Sequence, residues 1–313
     1  MLFLSDKIGG LFICFQTKKT SATKQKQNKC FSNSKIAIIA FMGFLEIEGL
    51  GSVHYHEYGS GQHLLFAFHG YGMSGEQFSV LQQSLMQHYR IIGFDHFFHG
   101  ASALYEVNEA TVLAGMQPAF LKAYINTWFE KFGQQRFSLL GYSIGANMVL
   151  YLTEQFADQV DNVILMAPDG LVRHKGLHFL RASFIGQKLF RKLTYSSWMM
   201  ARALKLLNWV GMLDNSLYAI ASREINTPQK RINAFFTVNF SKNIYTDIGK
   251  VAALINQYHI RCQLYFGQYD QLFPKKNSKK LLRLLQRPEI YVLPLDHWLV
   301  TAELDDYIAK QMG

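Results

Sequence analysis

Residues 136–155 constrain the fold of this 313-residue chain more than any other stretch. They read RFSLL, then Gly141-Tyr142-Ser143-Ile144-Gly145, then ANMVLYLTEQ. The first part is an apolar run of strand length, and the last carries apolar residues at helical spacing. A serine on a sharp reversal between strand and helix needs small residues on either side, because larger side chains would collide with both elements. By composition alone a G-x-S-x-G match arises in about one chain in ten of this length. A strand before it and a helix after it make the match informative, and they imply a sheet covered by helices.

The same alternation runs through most of the chain. Strand-like runs fall at 52–58, 63–68, 90–94, 136–140, 160–166, 261–266 and 289–293. Helical spacing falls at 77–89, 110–132, 146–155 and 275–286, and again from 299 onward. This predicts an α/β fold built on a mostly parallel, doubly wound sheet. Between 171 and about 250 the pattern is helical without a buried strand, so this stretch is expected to be a helical lid inserted over the carboxyl ends of the strands.

Three further motifs follow strands. His69-Gly70-Tyr71-Gly72 ends an early one, and a glycine-rich turn there can aim the Tyr71 N–H at an oxyanion, with the Ile144 N–H as second donor. Asp270 follows a strand in FGQYDQLFP, and His297 follows the next in LPLDHWLV. A serine hydroxyl needs an adjacent base, which His297 can supply, and an acid that holds the imidazole in the useful tautomer. Asp270 is the expected acid. Asp169 also follows a strand, and Asp296 adjoins His297, so both compete with it. His69 is expected to support the turn, and Asp95, His96 and His99 to hold a loop together rather than to bind metal.

With these motifs in the order Ser143, Asp270, His297, residues 52–312 resemble the α/β-hydrolase family of serine esterases and lipases with a helical lid. The resemblance implies Ser143 as nucleophile, Asp270 as acid, His297 as base, and Tyr71 and Ile144 as oxyanion donors, with no cofactor. The segment GFDHFFHGAS resembles the family's D-x-R-G-H-G loop, with Phe97 and Phe98 in place of Arg-Gly. Asp296 replaces a small residue before the histidine, and Ala146 a second glycine. The expected reaction is hydrolysis of a small-molecule carboxylic ester with a small or medium apolar acyl group. Thioesterase, amidase, C–C-bond hydrolase and acyltransferase chemistry can run on the same triad, and a non-catalytic binding protein is the rival of another class.

Charge does not point to nucleic acid. Residues 1–41 carry seven Lys and one acid, a net of +6 out of the chain's +10, and no basic groove interleaved with aromatics follows. Those residues lack the order of a secretory signal. They read as a disordered leader or a misassigned start, with the domain opening at Met42 and a cytoplasmic location. Export or membrane association through them is the alternative. Cys14, Cys30 and Cys262 form no disulfide or metal pattern, and Cys262 is expected to be buried and inert. Residues 171–206 hold eight Lys or Arg and no acid. The favoured expectation is a solvated helix face above the pocket, with membrane contact the lesser one. Trp198, Met199 and Met200 are candidates to line the acyl pocket.

Overall fold

The computed structural model describes residues 41–172, 175–211 and 215–312. The leader expected over 1–41 lies outside these residues except for Phe41, as do Cys14 and Cys30. Phe41 opens the first strand, β1 (Phe41–Ile47), which pairs antiparallel with β2 (Gly51–Tyr58) across a turn where Gly49 has a φ of 71°. Then follow β3 (His63–Phe68), β4 (Tyr89–Phe94), β5 (Ala103–Leu104), α1 (Glu109–Ala114), α2 (Pro118–Phe132), β6 (Phe137–Tyr142), α3 (Gly145–Phe156) and β7 (Val160–Met166). Five helices come next: α4 (Lys175–Ala182), α5 (Phe184–Tyr195), α6 (Ser197–Trp209), α7 (Asn215–Glu224) and α8 (Pro228–Phe240). The alternation then resumes with α9 (Ile248–Gln257), β8 (Arg261–Gly267), α10 (Lys279–Leu284), β9 (Pro288–Leu293) and α11 (Ala302–Met312).

The strands form one nine-stranded sheet in the order β1-β2-β4-β3-β6-β7-β8-β9, with β5 beside β2. From β4 to β9 every neighbouring pair is parallel. The central strands are apolar on both faces, as a sheet covered on both sides requires. Phe66, Phe68, Leu139, Val163, Leu165 and Leu264 point into one core with α2, α3, α9 and α10. The residues between them in sequence, such as Leu65, Ala67, Leu140, Ile164 and Met166, point into the other, closed by Phe78, Leu81, Leu85 and α11. Cys262 is buried, and that burial pushes its thiol up to about 12, so it is inert at neutral pH.

Several helical expectations change at their boundaries. The single helix expected over 110–132 is two, because Gly115 leaves α1 with a φ of 80° and Pro118 sits in the first turn of α2. The helix expected over 77–89 is only a 3-10 turn at Gly75–Val80 followed by irregular turns. There the N–H groups of Gln83 and Ser84 donate to the Asp305 carboxylate at 2.9 Å each, not to carbonyls of their own segment. The described part of the 171–250 stretch holds helices joined by loops and no strand, but α9 packs on α3 and α10, so the insertion ends before Ile248. Among the described residues no helix is long and apolar enough to cross a membrane.

Candidate active site

The reversal after β6 holds Ser143 at a φ of 53°, in the left-handed region that costs a non-glycine residue energy. The surrounding backbone fixes it there. The Ser143 N–H donates to the Met166 carbonyl at 2.9 Å, and its own carbonyl accepts from Ala146 and Asp169 at 3.0 and 3.1 Å. The small flanking residues are a steric necessity. A Cβ on Gly145 would lie 2.0 Å from the Phe68 carbonyl oxygen, and one on Gly141 would lie 2.7 Å from the Ala146 Cα.

The loops after β8 and β9 bring the other two residues to this serine. His297 Nδ1–H donates to Asp270 Oδ2 at 2.9 Å, and His297 Nε2 lies 3.1 Å from Ser143 Oγ. In the tautomer that the carboxylate selects, Nε2 is free to accept the serine hydroxyl proton. Asp270 is itself held, since Oδ1 accepts the N–H groups of Leu272 and Phe273 at 2.8 and 2.9 Å. Tyr142 stacks on the His297 ring at 5.5 Å and donates its hydroxyl to the His297 carbonyl at 2.8 Å. Neither competing acid reaches the imidazole by a hydrogen bond. Asp169 accepts from Asn147 and from the Gly170 N–H, and Asp296 accepts from the Trp298 N–H.

The turn after β3 lies against the serine, where a Cβ on Gly70 would come within 3.4 Å of the Ser143 Cβ. Among the described residues the backbone N–H groups of Tyr71 and Ile144 have no acceptor, and both residues face the same cavity. The turn is fixed from behind by histidines. His69 Nδ1 bonds the Gly70 carbonyl at 2.7 Å, its Nε2 accepts the His96 N–H at 2.9 Å, and His96 Nε2 returns to the His69 carbonyl at 2.7 Å. Burial drives both rings to the neutral state, and His96 is lowered to about 3.

Behind them, Asp95 pins the loop after β4. Burial pushes its carboxyl up, but hydrogen bonds from His54, His56 and the Gly75 and Ala101 N–H groups outweigh it and hold the group well below its usual range. The ligand-capable atoms of His54, His56 and Asp95 lie within 4.8 Å of one another, a spacing at which an ion could be shared. The Asp95 oxygens already take Gly75 N–H at 2.6 Å, Ala101 N–H at 2.9 Å and His54 Nδ1 at 2.8 Å, so the visible work of this cluster is to hold the loop.

A cavity of about 210 Å³ opens beside Tyr71 and Ile144. Its walls are mainly apolar: Phe97, Phe98, Met116, Tyr124 and Met148 from the sheet domain, and Val238, Phe240 and Ile244 from α8 and the loop after it. Asn147, Asp169 and Arg181 add polar groups. Burial, reinforced by Glu224, pushes the Tyr71 phenol up to about 12, so it stays protonated at neutral pH. Trp198, Met199 and Met200 do not line this cavity, contrary to the sequence-based expectation. They lie on α6, which buries no residue, and Trp198 faces outward with Arg202 over its ring. Phe98 was the readable signal for the true wall. It replaces a glycine of the family pattern, takes a φ of 68°, and packs on Phe236 and Phe240.

The sequence profile of the alpha/beta hydrolase fold matches residues 63–299. No protein of curated function matches the sequence. Solved structures similar to this chain include a thermophilic esterase from Thermogutta terrifontis, with a TM-score of 0.60 and 11% identity, covering 87% of this chain and 96% of that one. The thioesterase domain from the curacin biosynthetic pathway has a TM-score of 0.57 and 18% identity over 87% and 98% of the two chains. A mutant haloalkane dehalogenase from Agrobacterium tumefaciens has a TM-score of 0.57 and 17% identity over 87% and 95%. At these identities the likeness is one of fold.

Proposed function

The chain belongs to the α/β-hydrolase fold family, and from that premise we propose that it is a serine hydrolase acting on carboxylic esters with a small or medium apolar acyl group. The observation that carries this reading is the continuous chain Asp270–His297–Ser143, at 2.9 and 3.1 Å, with Ile144, next to the serine, lining an apolar cavity. His297 Nε2 takes the Ser143 proton as Oγ forms a bond to the ester carbonyl carbon. The carbonyl electron pair moves onto oxygen, where the N–H groups of Tyr71 and Ile144 stabilise it, each by about 3–4 kcal/mol in comparable sites. The C–O bond to the alcohol then breaks, and the imidazolium gives its proton to the leaving oxygen. Water attacks the acyl-serine by the same route and frees the acid.

The size of the cavity supports the acyl limit: its 210 Å³ is below the roughly 300–1,000 Å³ of pockets that take drug-sized ligands. A serine in the nucleophile position argues against dehalogenase chemistry, which in this fold uses an aspartate. The thioesterase-like neighbour keeps thioesters as the second reading, since their acyl chemistry needs the same groups.

Labelling with a fluorophosphonate probe tests the proposal. Wild type should label, and Ser143→Ala and His297→Ala should not, with ester turnover down roughly 10⁴-fold or more in both. Folded wild type that resists the probe while binding a nonhydrolysable ester analogue would instead favour the binding-protein alternative.

A further inference from the structure

Helices α5 and α6 are almost all surface. Among their described residues α6 buries none, and α5 buries only Gly186 and Thr194. A charged, solvated face was the favoured expectation for this stretch, and the exposed face carries those cations together with large apolar side chains. On α5, Phe184 and Ile185 are each 71% exposed, and Lys188, Leu189 and Lys192 follow them on the same helical face. On α6, Trp198, Arg202, Lys205, Leu206 and Trp209 repeat the pattern at intervals of three and four, with Trp198 60% and Trp209 82% exposed. Lys188 Nζ lies 4.2 Å from the Phe184 ring centre and the Arg202 guanidinium 3.8 Å from that of Trp198.

We propose that the outward faces of α5 and α6 dock on an anionic lipid bilayer. Large apolar side chains clustered outward are unusual on a free surface. Interleaved with cations, they match what an interface of acyl chains below phosphate headgroups presents. A shallow groove between Ile185, Lys188, Leu189, Lys192 and Tyr195 places ammonium groups at the edge of apolar side chains, as a headgroup phosphate would need. Charge selects the occupant. Residues 171–206 hold eight Lys or Arg and no acid, so a second copy of this face would meet it with like charge, whereas an anionic bilayer complements it. The surface is anchored from within: Phe190 packs on Phe235 of α8 at 5.0 Å, and Arg231 of α8 donates to the Thr194 carbonyl at 2.8 Å. Since α8 also walls the cavity, docking would set the site close to the lipid surface. The docking itself does not depend on the hydrolase reading.

Flotation of the full-length protein with vesicles tests this. Equimolar phosphatidylcholine–phosphatidylglycerol vesicles should carry it at low salt, pure phosphatidylcholine vesicles should not, and binding should fall as salt rises. Lys188→Glu/Lys192→Glu/Lys205→Glu should lower partition about a hundredfold, from about fivefold for each cation removed. Phe184→Ser/Ile185→Ser/Trp209→Ser should lower it by a similar factor, while circular dichroism and the melting temperature stay as in wild type. Two vesicle results would overturn the proposal. One is no binding to the anionic vesicles. The other is binding that both variants retain in full, which would assign it to the lysines of residues 1–40. A lipid-free dimer by light scattering that the apolar variant dissociates would equally replace the bilayer with a second copy.

Discussion

At the scale of single residues, the site depends on a few positions that no other side chain could occupy unchanged. Phe98, by contrast, could change with profit. Its φ of 68° suits glycine better than phenylalanine, and its ring walls the cavity beside Ile144. Phe98→Gly should relieve that backbone and enlarge the cavity, raising kcat/KM for a longer acyl ester relative to a short one by roughly tenfold. A chain-length series that keeps its wild-type optimum would refute the assignment of this wall. The buried histidines give a second prediction, in pH. His96 is neutral in the fold down to about 3, whereas in the unfolded chain it protonates near 6.5. The unfolded state therefore binds more protons across that window, and stability falls as pH drops from 6.5 toward 3. Asp95, lowered in the fold from 3.8, adds its loss only as pH falls toward and below that value. Thermal midpoints between pH 6.5 and 4.5 should decline in wild type and decline less in His96→Asn. Equal slopes would show that the ring is not buried neutral. The positions of Ser143, Asp270 and His297 were readable because each directly follows an apolar strand, and strand ends on one side of a parallel sheet converge. The bonds of Asp95 to His54 and His56 were not readable, since they join β2 to β4 across 41 and 39 residues with no motif at the earlier end.

At the scale of elements, period and punctuation located the strands and most helices, and missed where a distant side chain captures the backbone. Residues 81–88 have helical spacing, yet Asp305 from α11 takes two of their N–H groups and the Ser84 hydroxyl at 2.6 Å. No local pattern reports an acceptor more than 200 residues away. Asp305 is fully covered, so Asp305→Ala leaves the two buried Ser84 donors without a partner and frees the Gln83 N–H, at a cost of about 2–4 kcal/mol. For a domain of this size that is a fall in Tm of roughly 5–12 °C. Asp305→Asn, which keeps one carbonyl acceptor, should lose less, and a variant melting with wild type would place the support of this segment elsewhere. The break between α1 and α2 was signalled by Gly115 and Pro118, which a reading by apolar spacing alone passed over. Strand β1 was missed for a similar reason, because exposed Phe41, Met42 and Phe44 blur its alternation with buried Leu45 and Ile47.

Across the whole molecule, cohesion is uneven. The parallel strands are packed on both faces, whereas α6 contributes nothing to either core. Amide hydrogen exchange should follow that division, with α5 and α6 exchanging through local opening and β6 and β7 only near the global unfolding limit. Uniform protection across the two would mean that the insertion is locked to the sheet domain. The helical character of this stretch was plain in the sequence, but not which helices wall the cavity. That depends on packing between helices, and α8 serves where α6 was expected. Ser143, Asp270 and His297 all stand on loops of the sheet domain, and none on the insertion. The insertion shares the cavity wall with the sheet domain, which also supplies Phe97, Phe98, Met116, Tyr124 and Met148. Under the proposed function, substitutions on the cavity side of α8 would reshape that wall while the bonds joining Asp270, His297 and Ser143 stay within the sheet domain. On that reading, a family built this way would change what it accepts at one wall and keep its reaction at another.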